Sequence, residues 1–102
     1  MMERFKAQCR EIITQNGLSK QKRKFVEEGF ELIEAITEMQ VAPSRKNLEH
    51  VIEEMADTFV VWRQFAEFYD VDIAEIMTIA KRKAERTIAR MQETTYICKN
   101  NN

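Results

Sequence analysis

Two short acidic clusters, Glu27-Glu28-x-x-Glu31 and Glu53-Glu54-x-x-Asp57, hold the residues whose types and spacing could do chemistry. On a helix, a three-residue spacing sets Glu28 with Glu31, and Glu54 with Asp57, on one side about a turn apart. Four carboxylates gathered inside a helical protein repel one another, and a hard divalent cation is the usual way to neutralise them. A cation walled by carboxylates can hold phosphate oxygens and activate a water. The clusters therefore suggest a small metal-dependent enzyme. A solvated helix face also carries acidic residues at this spacing, and the Glu27 to Glu31 cluster taken alone does not separate the two readings.

The elements that must position these residues are helical throughout. The first predicted helix runs from about Glu3 to Gln15, with Phe5, Cys9, Ile12 and Ile13 inward, and Asn16-Gly17 stops it. Leu18 to Lys24 reads as a basic connector carrying Lys20, Lys22, Arg23 and Lys24. The second helix extends to about Gln40 and ends at Val41-Ala42-Pro43-Ser44. Ser44 or Asn47 is positioned to cap a third helix reaching about Tyr69, and Asp72-Ile-Ala-Glu75 reads as a capping box opening a fourth that ends near Gln92. Glu93 to Asn102, closing in three asparagines, is expected to fray. The fold class is thus all-α, a four-helix bundle-like single domain over residues 1–92 with a tail at 93–102.

Helical phase sorts the carboxylates. On the second helix, Phe25, Val26, Gly29, Leu32, Ile33, Ile36 and Met39 form one apolar arc, with Glu27, Glu34 and Glu38 opposite. Glu28 falls at the inner edge of that arc and Glu31 at its margin. On the third helix, Leu48, Val51, Ile52, Met55, Phe59, Trp62 and Ala66 form one stripe, and His50, Glu54, Asp57, Val61, Phe65 and Phe68 a second. Glu54 and Asp57 therefore share a line with large apolar side chains and are expected to face protein, where unpaired carboxylates are rarely put. Glu53 points to the flank.

Composition removes several function classes. The net charge is −1, so a polymeric nucleic-acid binder, normally visibly basic, is not expected. No apolar run approaches the ~18 residues of a membrane span, and no secretory apolar core follows the charged start. Cys9 and Cys98 stand far apart without metal-type spacing, which favours a reduced, cytoplasmic setting.

Lys24-Phe-Val-Glu-Glu-Gly-Phe-Glu-Leu-Ile-Glu-Ala-Ile, followed by Glu53-Glu-Met-Ala-Asp-Thr-Phe-Val-Val-Trp, resembles the all-α nucleoside triphosphate pyrophosphohydrolases, the MazG-like family. Both halves of that family's EExxE…ExxD signature are intact. Lys83-Ala-Glu-Arg86-Thr-Ile-Ala-Arg90 is similar to the basic stretch that closes many members, so the resemblance covers about Lys24 to Met91. It implies that Glu28, Glu31, Glu54 and Asp57 bind Mg²⁺, with Mn²⁺ as a substitute, and that Glu27 and Glu53 flank the site. The implied reaction cleaves a nucleoside triphosphate between its α- and β-phosphates, giving the monophosphate and pyrophosphate. A Glu not fully committed to metal takes the proton from water, with Glu31 preferred and Glu28 next. Lys83 and Arg86, and Lys24 ahead of the acidic motif, are the expected phosphate contacts. A homodimer or homotetramer is implied too, in keeping with more apolar surface (Phe65, Phe68, Tyr69) than a small bundle buries.

Two alternatives stay open. A phosphoribosyl-ATP pyrophosphohydrolase of histidine biosynthesis has a signature similar to Lys24 to Glu31, and a non-catalytic helical interaction module could carry the same helices. A di-iron carboxylate bundle pairs Glu with Glu-x-x-His motifs, which this chain lacks. His50 and Trp62 are expected to be polar surface and core, respectively.

Overall fold

Gly17 is the whole connection between the first two helices. The computed structural model describes residues 2–100, in which the helices are α1 (Met2–Asn16), α2 (Leu18–Val41), α3 (Arg45–Phe68) and α4 (Ile73–Asn100), with no strand among the described residues. The all-α class read from the sequence is what is found. Gly17 has φ of 87°, in the left-handed region that a side chain disfavours. Its N–H donates to the Ile13 carbonyl at 2.8 Å and its own carbonyl accepts from Gln21 N–H at 3.2 Å. One residue thus closes α1 and opens α2. Leu18 to Lys24, expected as a connector, is helical: Leu18 is half-buried and Gln21 buried, so packing on one side overrides the run of basic residues on the other.

The α2–α3 turn is held by side chains chosen for it. Ser44 Oγ accepts from Asn47 N–H at 3.0 Å, and Asn47 Nδ2 donates to the Ala42 carbonyl at 2.8 Å. At the start of α4, Asp72 Oδ1 accepts from Ala74 N–H at 2.9 Å. That helix extends through Asn100, across the stretch expected to fray after Gln92; Asn101 and Asn102 lie outside the described residues.

The chain divides into two compact units, Met1–Asp70 carrying α1 to α3, and Val71–Asn102 carrying α4. In the first unit α2 and α3 share the most extensive packing, and α1 lies mainly on α3. Residue pairs 21/64 and 28/58 are in contact, so α2 and α3 run antiparallel. The apolar core is small, with Cys9, Ile13, Ala35, Val51, Val61 and Ala66 buried. Phe25 meets Phe65 edge-on at 5.6 Å between centroids, and Phe5 stacks on Phe59 at 5.9 Å.

The core is also unusually polar, because Gln21, Glu28, Glu54, Arg63, Gln64 and Glu67 are buried beside those apolar residues. On α2 the buried line is Gln21, Glu28 and Ala35, seven residues apart, rather than the centre of the apolar arc. Val26, Ile33 and Ile36, expected inward, are exposed, as is Ile12 on α1. On α3, Ile52, Met55 and Phe59 are exposed too. At about 100° per residue on antiparallel helices, the exposed apolar residues of α2 and α3 share one edge of the hairpin, and the carboxylates take the other.

Candidate active site

The carboxylates come together because α2 and α3 are tied at the level that bears them. Thr58 Oγ1 donates to the Glu54 carbonyl at 2.8 Å and lies 3.4 Å from the Glu28 carbonyl. Its hydroxyl therefore sits between the two turns from which Glu28 and Glu54 project. One carboxylate oxygen from each of Glu28, Glu54 and Asp57 falls within 4.8 Å of the other two. Glu28 is 6% exposed and Glu54 9%, whereas Asp57, expected to face protein, is exposed at the rim.

Little in the protein neutralises this group. Lys24 Nζ reaches Glu28 Oε1 at 3.0 Å, and that contact raises the Lys24 pKa. His50, expected as plain surface, has Nε2 at 3.4 Å from Glu54 Oε1 and Nδ1 at 3.7 Å from Glu38 Oε2. The remaining oxygens, Glu28 Oε2 and Glu54 Oε2, are buried without a hydrogen-bond partner among the described residues. Two like charges at this separation cost on the order of 3 kcal/mol at an effective dielectric of ~20, and buried acceptors left unpaired add to that.

Glu31 stands beside the convergent three and is exposed. Its pKa is raised, chiefly by the charge of Glu28, then by lost solvation and the charge of Glu54. Glu27 is exposed on the wall of the cleft described below, and Glu53 is exposed. Lys83 and Arg86 lie in the other unit, where they share one face of α4 with Ile79 and Arg82.

The donor set fits a hard divalent cation. Three carboxylates converge, two of them hold buried oxygens with no protein partner, and oxygen is the ligand Mg²⁺ and Mn²⁺ prefer. Three or four carboxylates leave room in an octahedral shell for water and for oxygens of a substrate.

Beside Glu28 and Asp57 opens a cleft of about 750 Å³, bounded by α1, α2 and α3. Asn16, Lys20, Arg23, Lys24 and Glu27 line its polar wall, Ile12, Val60 and Val61 an apolar one, and Gln21 with Gln64 complete the lining. Lys20 and Arg23, expected in a connector, stand on α2 beside this cleft; the two glutamines, Gln21 on α2 and Gln64 on α3, carry no motif of their own. The available signal was the seven-residue step from Gln21 to Glu28 and from Asp57 to Gln64, two helical turns each.

Helices presenting converging carboxylates beside a cleft of mixed charge define the class: an all-α protein with a donor set suited to a divalent cation. Residues 17–90 match the family model of the MazG nucleotide pyrophosphohydrolase domain. The chain belongs to that family. No curated protein and no solved structure matches it.

Proposed function

We propose that this protein is a Mg²⁺-dependent nucleoside triphosphate pyrophosphohydrolase that cleaves (d)NTP to (d)NMP and pyrophosphate. The observation that carries the reading is the pair of buried, unpartnered oxygens, Glu28 Oε2 and Glu54 Oε2, converging with Asp57. Lys24 meets Glu28 Oε1 alone, and one rim lysine against three converging carboxylates leaves charge for an added cation. Membership in a nucleotide pyrophosphohydrolase family supports the substrate class.

Glu28, Glu31, Glu54 and Asp57 hold the cation, with Mn²⁺ able to replace Mg²⁺. Bound there, it supplies charge neutralisation for the phosphates and lowers the pKa of a water. Water forms the new P–O bond as the α–β anhydride opens and pyrophosphate departs, and Glu31 accepts the proton that this water loses. Glu31 is exposed, so water reaches it more readily than the buried Glu28 and Glu54. Glu28 is the second candidate for that step. Lys24 on the rim binds the phosphates and Glu27 borders the substrate; a phosphate role for Lys83 and Arg86 of α4 rests on the family resemblance. Among the described residues no helix is long and apolar enough to cross a membrane; a cytoplasmic setting belongs to the same proposal. The exposed apolar edge, with Val26, Phe30 and Ile33 on α2 and Ile52 and Met55 on α3, supports assembly as a homodimer or homotetramer, which light scattering measures.

The test is a product analysis over all NTPs, dNTPs and phosphoribosyl-ATP, with Mg²⁺ and with EDTA. Equimolar monophosphate and pyrophosphate, formed from a standard nucleotide with metal alone, is the expected result. Turnover of phosphoribosyl-ATP only would assign the histidine-pathway reaction instead. No turnover of any compound would favour an interaction module.

A further inference from the structure

Two turns along the hairpin from the carboxylates, the cleft is lined by a pair of amides. Gln21 precedes Glu28 by seven residues on α2, and Gln64 follows Asp57 by seven on α3. Because the helices run antiparallel, both steps lead the same way, about 10.5 Å along the axes. Gln21 is 3% exposed and Gln64 1%. Gln21 Nε2 donates to Gln64 Oε1 at 2.7 Å, a buried bond between side chains 43 residues apart.

That bond consumes one N–H and one lone pair. The other ends, the Gln21 carbonyl oxygen and the Gln64 amino group, make no hydrogen bond to protein among the described residues. Unlike Glu28 Oε2 and Glu54 Oε2, neither is sealed off as a buried atom without a partner, and both residues line the cleft. Turning both amides over exchanges their roles and still leaves one donor beside one acceptor. A neighbouring donor and acceptor on a partly apolar wall (Ile12, Val60, Val61) complement a flat group with a hydrogen-bonding edge. A phosphate is better served by Lys24, which lies on the carboxylate side of Gln21 and reaches Glu28, than by neutral amides.

We propose that the Gln21–Gln64 pair reads the nucleobase, whose edge meets the two amides while its phosphates lie toward Glu28, Glu54 and Asp57. This rests on the nucleotide reading of the same site. The span of about 10.5 Å leaves room for a sugar between the base and the phosphate nearest the carboxylates. Because the paired amides can present donor and acceptor in either order, the site accepts more than one base and rejects a ligand with none.

The experiment compares binding of the nucleoside monophosphates and of ribose 5-phosphate, in Mg²⁺, to the wild type, Gln21→Met and Gln64→Met by calorimetry. The wild type is expected to bind its best monophosphate at least about tenfold more tightly than ribose 5-phosphate, as one or two net hydrogen bonds allow. Each substitution should bring the two ligands to within about threefold while leaving ribose 5-phosphate affinity unchanged. If a variant fails to fold, the wild type still decides: the glutamine side-chain NH₂ resonances should shift with a monophosphate and stay put with ribose 5-phosphate. Unchanged base preference in folded variants, or glutamine resonances indifferent to the base, would overturn the proposal. The two readings fail separately. Base-dependent binding lost in Gln64→Met without turnover of any triphosphate sinks the hydrolase alone, and turnover with unaltered base preference in Gln64→Met sinks the amide reading alone.

Discussion

Glu54 and Glu67 sit on the same helix, both buried, and differ in what surrounds them. Glu67 Oε2 lies 2.8 Å from Arg63 Nη1, and Glu67 Oε1 lies 3.1 Å from Arg10 Nη2, which also reaches Asp70 Oδ1 at 3.0 Å. The contacts to Glu67 are close by distance yet leave Glu67 Oε1 and Arg63 Nη1 without aligned hydrogen bonds, so charge rather than direction holds them. Glu54 has only a partly exposed histidine at 3.4 Å, and two further carboxylates within 4.8 Å. One end of α3 is thus electrically complete and joins α1 to α3. The other end carries an excess of negative charge that the protein does not balance. A buried charge compensated from within serves the fold, whereas one left uncompensated is kept at a cost for something that binds.

The comparison can be broken at either end. The largest effect is expected at the incomplete end on activity. Glu54→Gln should lower pyrophosphate release by about a thousandfold, since the stabilisation it helps to hold in place is several kcal/mol; steady-state assays at saturating Mg²⁺ check it. Next, Arg63→Met leaves Glu67 with Arg10 alone and should destabilise the fold by about 3 kcal/mol, read from urea unfolding, while the metal response of the remaining folded protein is retained. Third, Mg²⁺ at about a hundred times its Kd should stabilise the wild type by ~2.7 kcal/mol, with no such gain once Glu54 is replaced. The smallest contrast is chemical. Burial, modulated by Arg63 and Glu67, pushes the Cys9 thiol above its ordinary pKa, so it stays protonated until the pH rises past that value. At pH 8, a disulfide reagent should therefore label exposed Cys98 quickly and Cys9 only as the protein unfolds.

Much of the fold was legible because its signals are local. Ser44 and Asp72 cap helices where the sequence put caps, and Gly17 stops α1. The connector was misread because four basic residues mask a helix whose buried positions there are Leu18 and Gln21, one of them polar. Pattern reasoning ranks faces by apolarity, and α2 turns Gln21, Glu28 and Ala35 inward while leaving Val26, Phe30 and Ile33 outside. Once a polar line packs, the apolar one needs another surface, which sequence phase alone does not reveal. The same blindness hid Arg63 and Glu67, an i, i+4 pair that reads as ordinary helix charge until α1 covers it. Within the site, Glu28, Glu54 and Asp57 all came from the two quoted clusters. The Gln21–Gln64 bond and the approach of His50 to Glu38 appear only when α2 and α3 are set in register.

The most direct measurement is a thermal unfolding series on the wild type and Glu54→Gln, each without metal and across a Mg²⁺ titration. Glu54→Gln is expected to be more stable than the wild type in metal-free buffer, because a carboxylate that repels its neighbours is gone, and to be indifferent to Mg²⁺. The wild type should start lower and rise with the ion. A variant that is destabilised without metal, or that still responds to Mg²⁺ as the wild type does, would contradict the claim that this cluster is completed by a cation.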